Sequence, residues 1–89
     1  MVRDVTSVLI VDDSSTVREV LRKLIESEPD LAVLDTAADA FEAAEVIKRR
    51  VPDVIVLDIE LPRMDGLSFL RRIMAQRPIP VIICSTLVE

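Results

Sequence analysis

The chain has 89 residues, 51% of them hydrophobic, and a formal charge of −5 from 11 Lys and Arg against 16 Asp and Glu. It makes one small domain with a core too apolar for a disordered chain, and its acidic balance argues against nucleic acid as a partner, because phosphates bind basic patches. One Cys and no His exclude an internal disulfide and a Cys/His zinc set, while no apolar run reaches the about eighteen residues of a membrane span and Met1 to Ser7 does not form a signal peptide.

These features together point to a cytoplasmic, reduced setting. The first element is Val8–Val11, a short continuous apolar run that suits a strand covered on both faces. It ends in Asp12 and Asp13. Val17, Val20, Leu21, Leu24 and Ile25 then recur at helical spacing and form one apolar stripe. Ser14, Ser15 and Thr16 are candidate caps, Thr16 with Glu19 has capping-box spacing, and Pro29 ends the helix. Leu31 to Ala37 is the second strand. Asp35 and Thr36 break its apolar pattern, which places it at a sheet edge.

Asp39 with Glu42 starts a second helix, with Phe41, Ala44 and Ile47 expected inward and Lys48, Arg49 and Arg50 matching its C-terminal dipole. Val54–Leu57 is the third strand. A third helix is expected from Leu67 to about Gln76, with Leu67, Leu70, Ile73 and Met74 buried and Arg71 and Arg72 on a solvated face. Pro78 and Pro80 restart the extended chain, and Val81–Cys84 is the fourth strand, with Cys84 a small core residue. Strands and helices in strict alternation, joined by right-handed crossovers, give an α/β parallel sheet with helices on both faces. The chain stops soon after the fourth strand. The expectation is a domain incomplete at its C-terminus, whose apolar fourth strand forms an edge able to pair with a second copy.

In an open parallel sheet, ligands collect beyond the carboxyl ends of the strands. The first strand ends at Asp12 and Asp13, the third at Asp58 and the fourth at Ser85 and Thr86. Taken singly, each has a plain structural reading. Asp12 and Asp13 can satisfy a helix N-terminus, Asp58 can belong to the turn-rich loop through Glu60, Pro62, Asp65 and Gly66, and Thr86 with Glu89 has capping-box spacing. Their coincidence at one edge is what favours a site. Two like charges 4 Å apart cost about 4 kcal/mol at an effective dielectric near 20. Three clustered carboxylates therefore either raise their pKa values or hold a cation, and the hard oxygen-seeking Mg²⁺ fits best.

The stretches "VLIVDDSSTVREVL", "PDVIVLDIELPRMDGLSFL" and "PVIICST" resemble, in order and spacing, the receiver domain of bacterial two-component response regulators. Within that family, "DIELPRMDGLSFLRRIM" followed by "RPIPVIICSTLVE" is similar to the regulatory domains of chemotaxis protein-glutamate methylesterases. The resemblance implies a flavodoxin-like doubly wound sheet, strand order 2-1-3-4, with the fifth strand and its Lys beyond this chain. It implies that Asp58 accepts a phosphoryl group from a histidine kinase, and that Asp12, Asp13, Asp58 and the Glu60 backbone carbonyl serve Mg²⁺. It further implies that Ser85 donates its hydroxyl to the phosphoryl group, that Pro62 and Gly66 shape the adjoining loop, and that the switch controls a C-terminal effector. The methylesterase's own Ser-His-Asp centre is not in this chain, which has no His. Two other readings stay open. One is a Mg²⁺-dependent phosphatase with an Asp nucleophile, of the haloacid-dehalogenase type, from "DIE" at 58–60. The other is a binding module that is never phosphorylated.

Overall fold

The computed structural model describes residues 4–61 and 66–84. Its elements follow the order β1 (Thr6–Val11), α1 (Ser15–Glu26), β2 (Leu31–Ala37), α2 (Ala40–Arg49), β3 (Val54–Leu57), α3 (Gly66–Gln76) and β4 (Val81–Ile83). The strands form one parallel sheet in the order β2-β1-β3-β4, which puts β2 at an edge as its broken apolar pattern suggests. β1 starts two residues earlier than its apolar run, because the Thr6 amide donates to the Asp30 carbonyl at 2.9 Å.

Strand order and right-handed crossovers set the layers. The chain moves from β1 to β2 in one direction and from β2 through β3 to β4 in the other, so α1 covers one face and α2 and α3 the opposite face. This is the flavodoxin-like arrangement. Leu9 pairs with Ile55 and Val11 with Leu57, and these four join Ala40, Ala43, Val46 and Phe69 in the main core. Alternation turns Val8 and Ile10 to the α1 side, where both are also buried. Fully burying an aliphatic chain such as Leu9, Ile55 or Leu57 contributes about 1.5–3 kcal/mol, so these central strands hold the sheet together.

The helix phases differ from expectation. In α2 the buried residues are Ala40, Ala43 and Val46, whereas Phe41 is 47% exposed and Ala44 and Ile47 are half-buried. Asp39 caps the helix by accepting from the Glu42 amide at 2.8 Å, and Glu42 returns the bond by accepting from the Ala38 amide at 2.8 Å. That capping box sets the rotation. It lays small alanines on the sheet, where they permit close approach, and turns Phe41 sideways.

In α3, Leu67 and Met74 are 58% and 52% exposed, and Phe69 is the buried anchor, with Leu70 and Ile73 packed beside it. Gly66 sets this phase by seating the start of the helix against Ile59. In α1 the cap is Ser14, whose hydroxyl accepts from the Val17 amide at 3.1 Å, so Thr16 lies inside the first turn and the expected Thr16–Glu19 box does not open the helix. The helix ends at Glu26 with Ser27 as its C-cap, before Pro29 is reached. Val20 and Leu24 of the expected stripe are 52% and 61% exposed, while Val17, Leu21 and Ile25 are half-buried. Cys84 is half-buried and follows a strand that ends at Ile83, so it is not a core residue.

Candidate functional site

β1 and β3 are hydrogen-bonded neighbours in register, with Val11 opposite Leu57. Asp12 and Asp58 are therefore the next residues on two adjacent strands that leave the sheet at the same end. The Asp58 amide donates to the Val11 carbonyl at 2.9 Å and the Asp12 amide to the Ala37 carbonyl at 3.0 Å, which fixes both backbones against neighbouring strands. Asp13 follows at the exposed lip. Carboxylate oxygens of Asp12, Asp13 and Asp58 all lie within 4.8 Å of one another. Asp12 and Asp58 are only 4% and 5% exposed.

Local hydrogen bonds aim these groups. The Ser14 amide donates to Asp12 Oδ1 at 2.9 Å, and the Glu60 amide donates to Asp58 Oδ1 at 3.0 Å. Each aspartate thus closes a small turn over the chain that follows it, two residues on. The Arg18 guanidinium reaches back from α1 to donate to the Asp12 carbonyl at 2.6 Å. Sequence reasoning did not single out Arg18. Its signal was its place one turn into a helix that starts beside the acidic pair, which brings its side chain over the crevice.

The electrostatics are unfavourable without a counter-charge. At 4.8 Å and an effective dielectric near 20, each pair of full charges repels by about 3.5 kcal/mol. The Asp12 carboxyl is held above its ordinary value of 3.8, first by burial and then by the like charges of Asp58 and Asp13; the Ser14 hydrogen bond and Arg18 oppose the shift. Three hard oxygen donors of negative charge, two of them buried, fit a small divalent cation that keeps several waters.

The other expected site residues divide in two. The Glu60 amide is committed to Asp58, and the residue itself is exposed. Gly66 is buried, with its amide donating to the Ile59 carbonyl at 2.8 Å; a Cβ there would lie 2.3 Å from Ile59 Cα and 3.0 Å from the Asp58 carbonyl oxygen. Pro62 and Ser85 lie outside the described residues. Up to Cys84 the fourth strand stays beside the third, with the Cys84 amide donating to the Leu57 carbonyl at 2.8 Å.

Comparison with known proteins agrees with this geometry. The family model described as response regulator receiver domain matches residues 8–89. The chain is 60% identical over its whole length to a protein-glutamate methylesterase/protein-glutamine glutaminase 3 of Rhodopseudomonas palustris (strain BisB18), of which it spans 24%. Among solved structures, it is similar to the response regulator domain of Thermotoga maritima CheB, with TM-score 0.88, 45% identity, and 96% of this chain and 63% of that one covered. It is also similar to a chain of the CheX-CheY-BeF3-Mg+2 complex from Borrelia burgdorferi, with TM-score 0.84, 38% identity, and 94% and 64% covered. With three carboxylates gathered at the carboxyl edge of a 2-1-3-4 parallel sheet and a family model that spans nearly all of it, the chain belongs to the response regulator receiver domain family.

Proposed function

We propose that this chain is the phosphoryl-accepting switch of a chemotaxis response regulator, with Asp58 as acceptor and a histidine kinase as phosphodonor. The observation that carries the reading is the meeting of Asp12, Asp13 and Asp58 within 4.8 Å at one sheet edge. Asp58 is the acceptor because it is buried, sits at the strand end and has one oxygen oriented by the Glu60 amide. Its carboxylate oxygen attacks phosphorus as the bond from phosphorus to the histidine nitrogen breaks, and the imidazole leaves with that electron pair. Phosphoryl transfer asks little covalent chemistry of the protein beyond positioning and charge neutralisation.

Asp13 and Asp58, with the Glu60 backbone carbonyl, would hold Mg²⁺ directly, and Asp12 would hold its hydration shell. Bound there, the ion would offset the repulsion among the carboxylates and supply positive charge to the phosphoryl oxygens. The Borrelia burgdorferi complex named for BeF3 and Mg+2 supports this pairing of a metal with a phosphoryl-like group on a similar fold. Ser85 would donate its hydroxyl to the phosphoryl oxygens, while Pro62 and Gly66 shape the loop. The relatives in which this sequence is about a quarter of the length support a methylesterase as the controlled effector. The phosphatase reading gains nothing from the site, because its second acidic position is Glu60, an exposed residue.

The setting we propose is cytoplasmic, and among the described residues no helix is long and apolar enough to cross a membrane. Among the described residues β4 is the outermost strand, with Ile82 57% and Ile83 44% exposed, which supports pairing with a second copy through that strand. Sedimentation should show a dimer that Ile82→Lys disperses; a monomer at all concentrations would reject the pairing. For the switch itself, incubation with a small phosphodonor and Mg²⁺ should add one phosphoryl group, read by intact mass, and Asp58→Asn should abolish it. Full labelling of that variant would reject Asp58 as acceptor.

A further inference from the structure

Although acids outnumber bases 16 to 11, six of the eleven basic residues fall in two stretches: Lys48, Arg49 and Arg50 at the end of α2, and Arg71, Arg72 and Arg77 along and just after α3. Glu45 is the only carboxylate between Ala43 and Arg50 or between Gly66 and Arg77. The two helices lie side by side on one face of the sheet, and a groove of about 510 Å³ runs between them. Phe41, Ala44 and Ile47 line its α2 wall, and Phe69 and Ile73 its α3 wall. Its rim carries three cations, Lys48, Arg72 and Arg77, against one carboxylate, Glu45.

The dimensions suit a helix. Phe41 to Lys48 and Phe69 to Arg77 are each about two turns, roughly 10–12 Å, which matches two or three anchors at i, i+3 or i+4, and i+7 of an incoming helix. The polarity is directional. Both helices run opposite to the parallel strands, so Lys48 and Arg77, near their C-termini, mark the end of the groove away from the acidic crevice. Glu45 pairs with Lys48 at 3.3 Å, whereas Arg72 and Arg77 make no ion pair among the described residues. A chain of net charge −5 thus concentrates exposed guanidinium groups beside an apolar trough.

We propose that the α2–α3 groove docks an acidic amphipathic helix of a protein partner, with apolar side chains over Ala44 and Ile73 and carboxylates against Arg72 and Arg77. An anionic membrane is the poorer occupant, because the trough is concave and the remaining surface repels it. The site is separate from the acidic crevice and does not depend on phosphorylation. A displayed library of random peptides of about 16 residues, long enough for four helical turns, is selected on the 89-residue chain. Selected peptides are then tested on Ala44→Arg, which fills the trough, and on the double variant Arg72→Glu/Arg77→Glu, whose exposed positions leave the fold intact even if Ala44→Arg does not fold. The proposal expects enriched peptides that combine carboxylates with apolar residues at helical spacing, that shift the amide resonances of α2 and α3, and that bind the double variant at least about tenfold more weakly. No enrichment, basic or neutral peptides, equal binding to the double variant, resonance shifts elsewhere, or binding to phosphatidylserine vesicles in place of peptide would each overturn it.

Discussion

Gly66→Ala isolates the contact that joins α3 to the crevice. The added methyl carbon would sit 2.3 Å from Ile59 Cα and 3.0 Å from both the Ile59 carbonyl carbon and the Asp58 carbonyl oxygen. Ordinary contact begins near 3.4 Å, so the shortfall is about 1.1 Å and is against backbone, which cannot rotate away. The constraint is one of space and does not come from a left-handed backbone. Relief requires the start of α3 to back off by about an ångström, which strains packing at Phe69 by about 1–3 kcal/mol and weakens the Gly66–Ile59 hydrogen bond by about another 1 kcal/mol. The helix-forming advantage of Ala is small at the first residue of a helix and does not recover this. The expected loss is about 2–4 kcal/mol, out of a total near 4–13 kcal/mol for a domain this size, lowering the midpoint by roughly 8 °C or more. Circular dichroism with urea and thermal unfolding measures it, and a midpoint within about 2 °C of the parent would refute the reasoning.

Asp12 gives a pH prediction whose sign follows from its raised pKa. In the metal-free protein the folded state holds this proton more tightly than the unfolded chain, so stability falls as pH rises from about 3.8 through the folded pKa, and the whole deficit is present above it. Asp12→Asn keeps an oxygen for the Ser14 amide and should therefore raise metal-free stability at neutral pH but not below pH 3.8, as followed by urea unfolding across pH. If Mg²⁺ binds as proposed, the parent should gain about 1.4 kcal/mol when the ion is at ten times its Kd, and the same variant should forfeit most of that gain, measured as the Mg²⁺-induced shift in midpoint. Asp39→Ala removes the α2 cap and should cost about 1 kcal/mol by the same unfolding assay.

The strand framework was legible because parallel strands buried on both faces have few alternatives to a continuous apolar run. Leu31–Ala37 and Val54–Leu57 match the observed strands. The acidic cluster was legible for a topological reason: once β1 and β3 are parallel neighbours, Asp12 and Asp58 must emerge together. Helix rotation was harder. α2 carries two plausible stripes, Ala40-Ala43-Val46 and Phe41-Ala44-Ile47, and hydrophobicity favours the one with the aromatic ring, whereas the Asp39 cap and close packing on the sheet select the alanines. In α3 the large side chains Leu67 and Met74 outweigh Gly66 in a hydrophobic count, yet the glycine decides which side faces inward. Caps were ambiguous for a similar reason. Ser14, Ser15 and Thr16 are chemically alike, and only the turn that Asp12 closes onto the Ser14 amide picks the first of them.

The proposed shared metal site is tested most directly by Mn²⁺, which replaces Mg²⁺ at oxygen sites and broadens nearby amide resonances. At substoichiometric Mn²⁺, the amides of Asp12, Asp13, Asp58 and Glu60 should broaden before any others, and Asp13→Asn should remove the effect at all four. Broadening that begins elsewhere, or that reaches Asp13 without Asp58, would contradict a single ion held between the two strand ends.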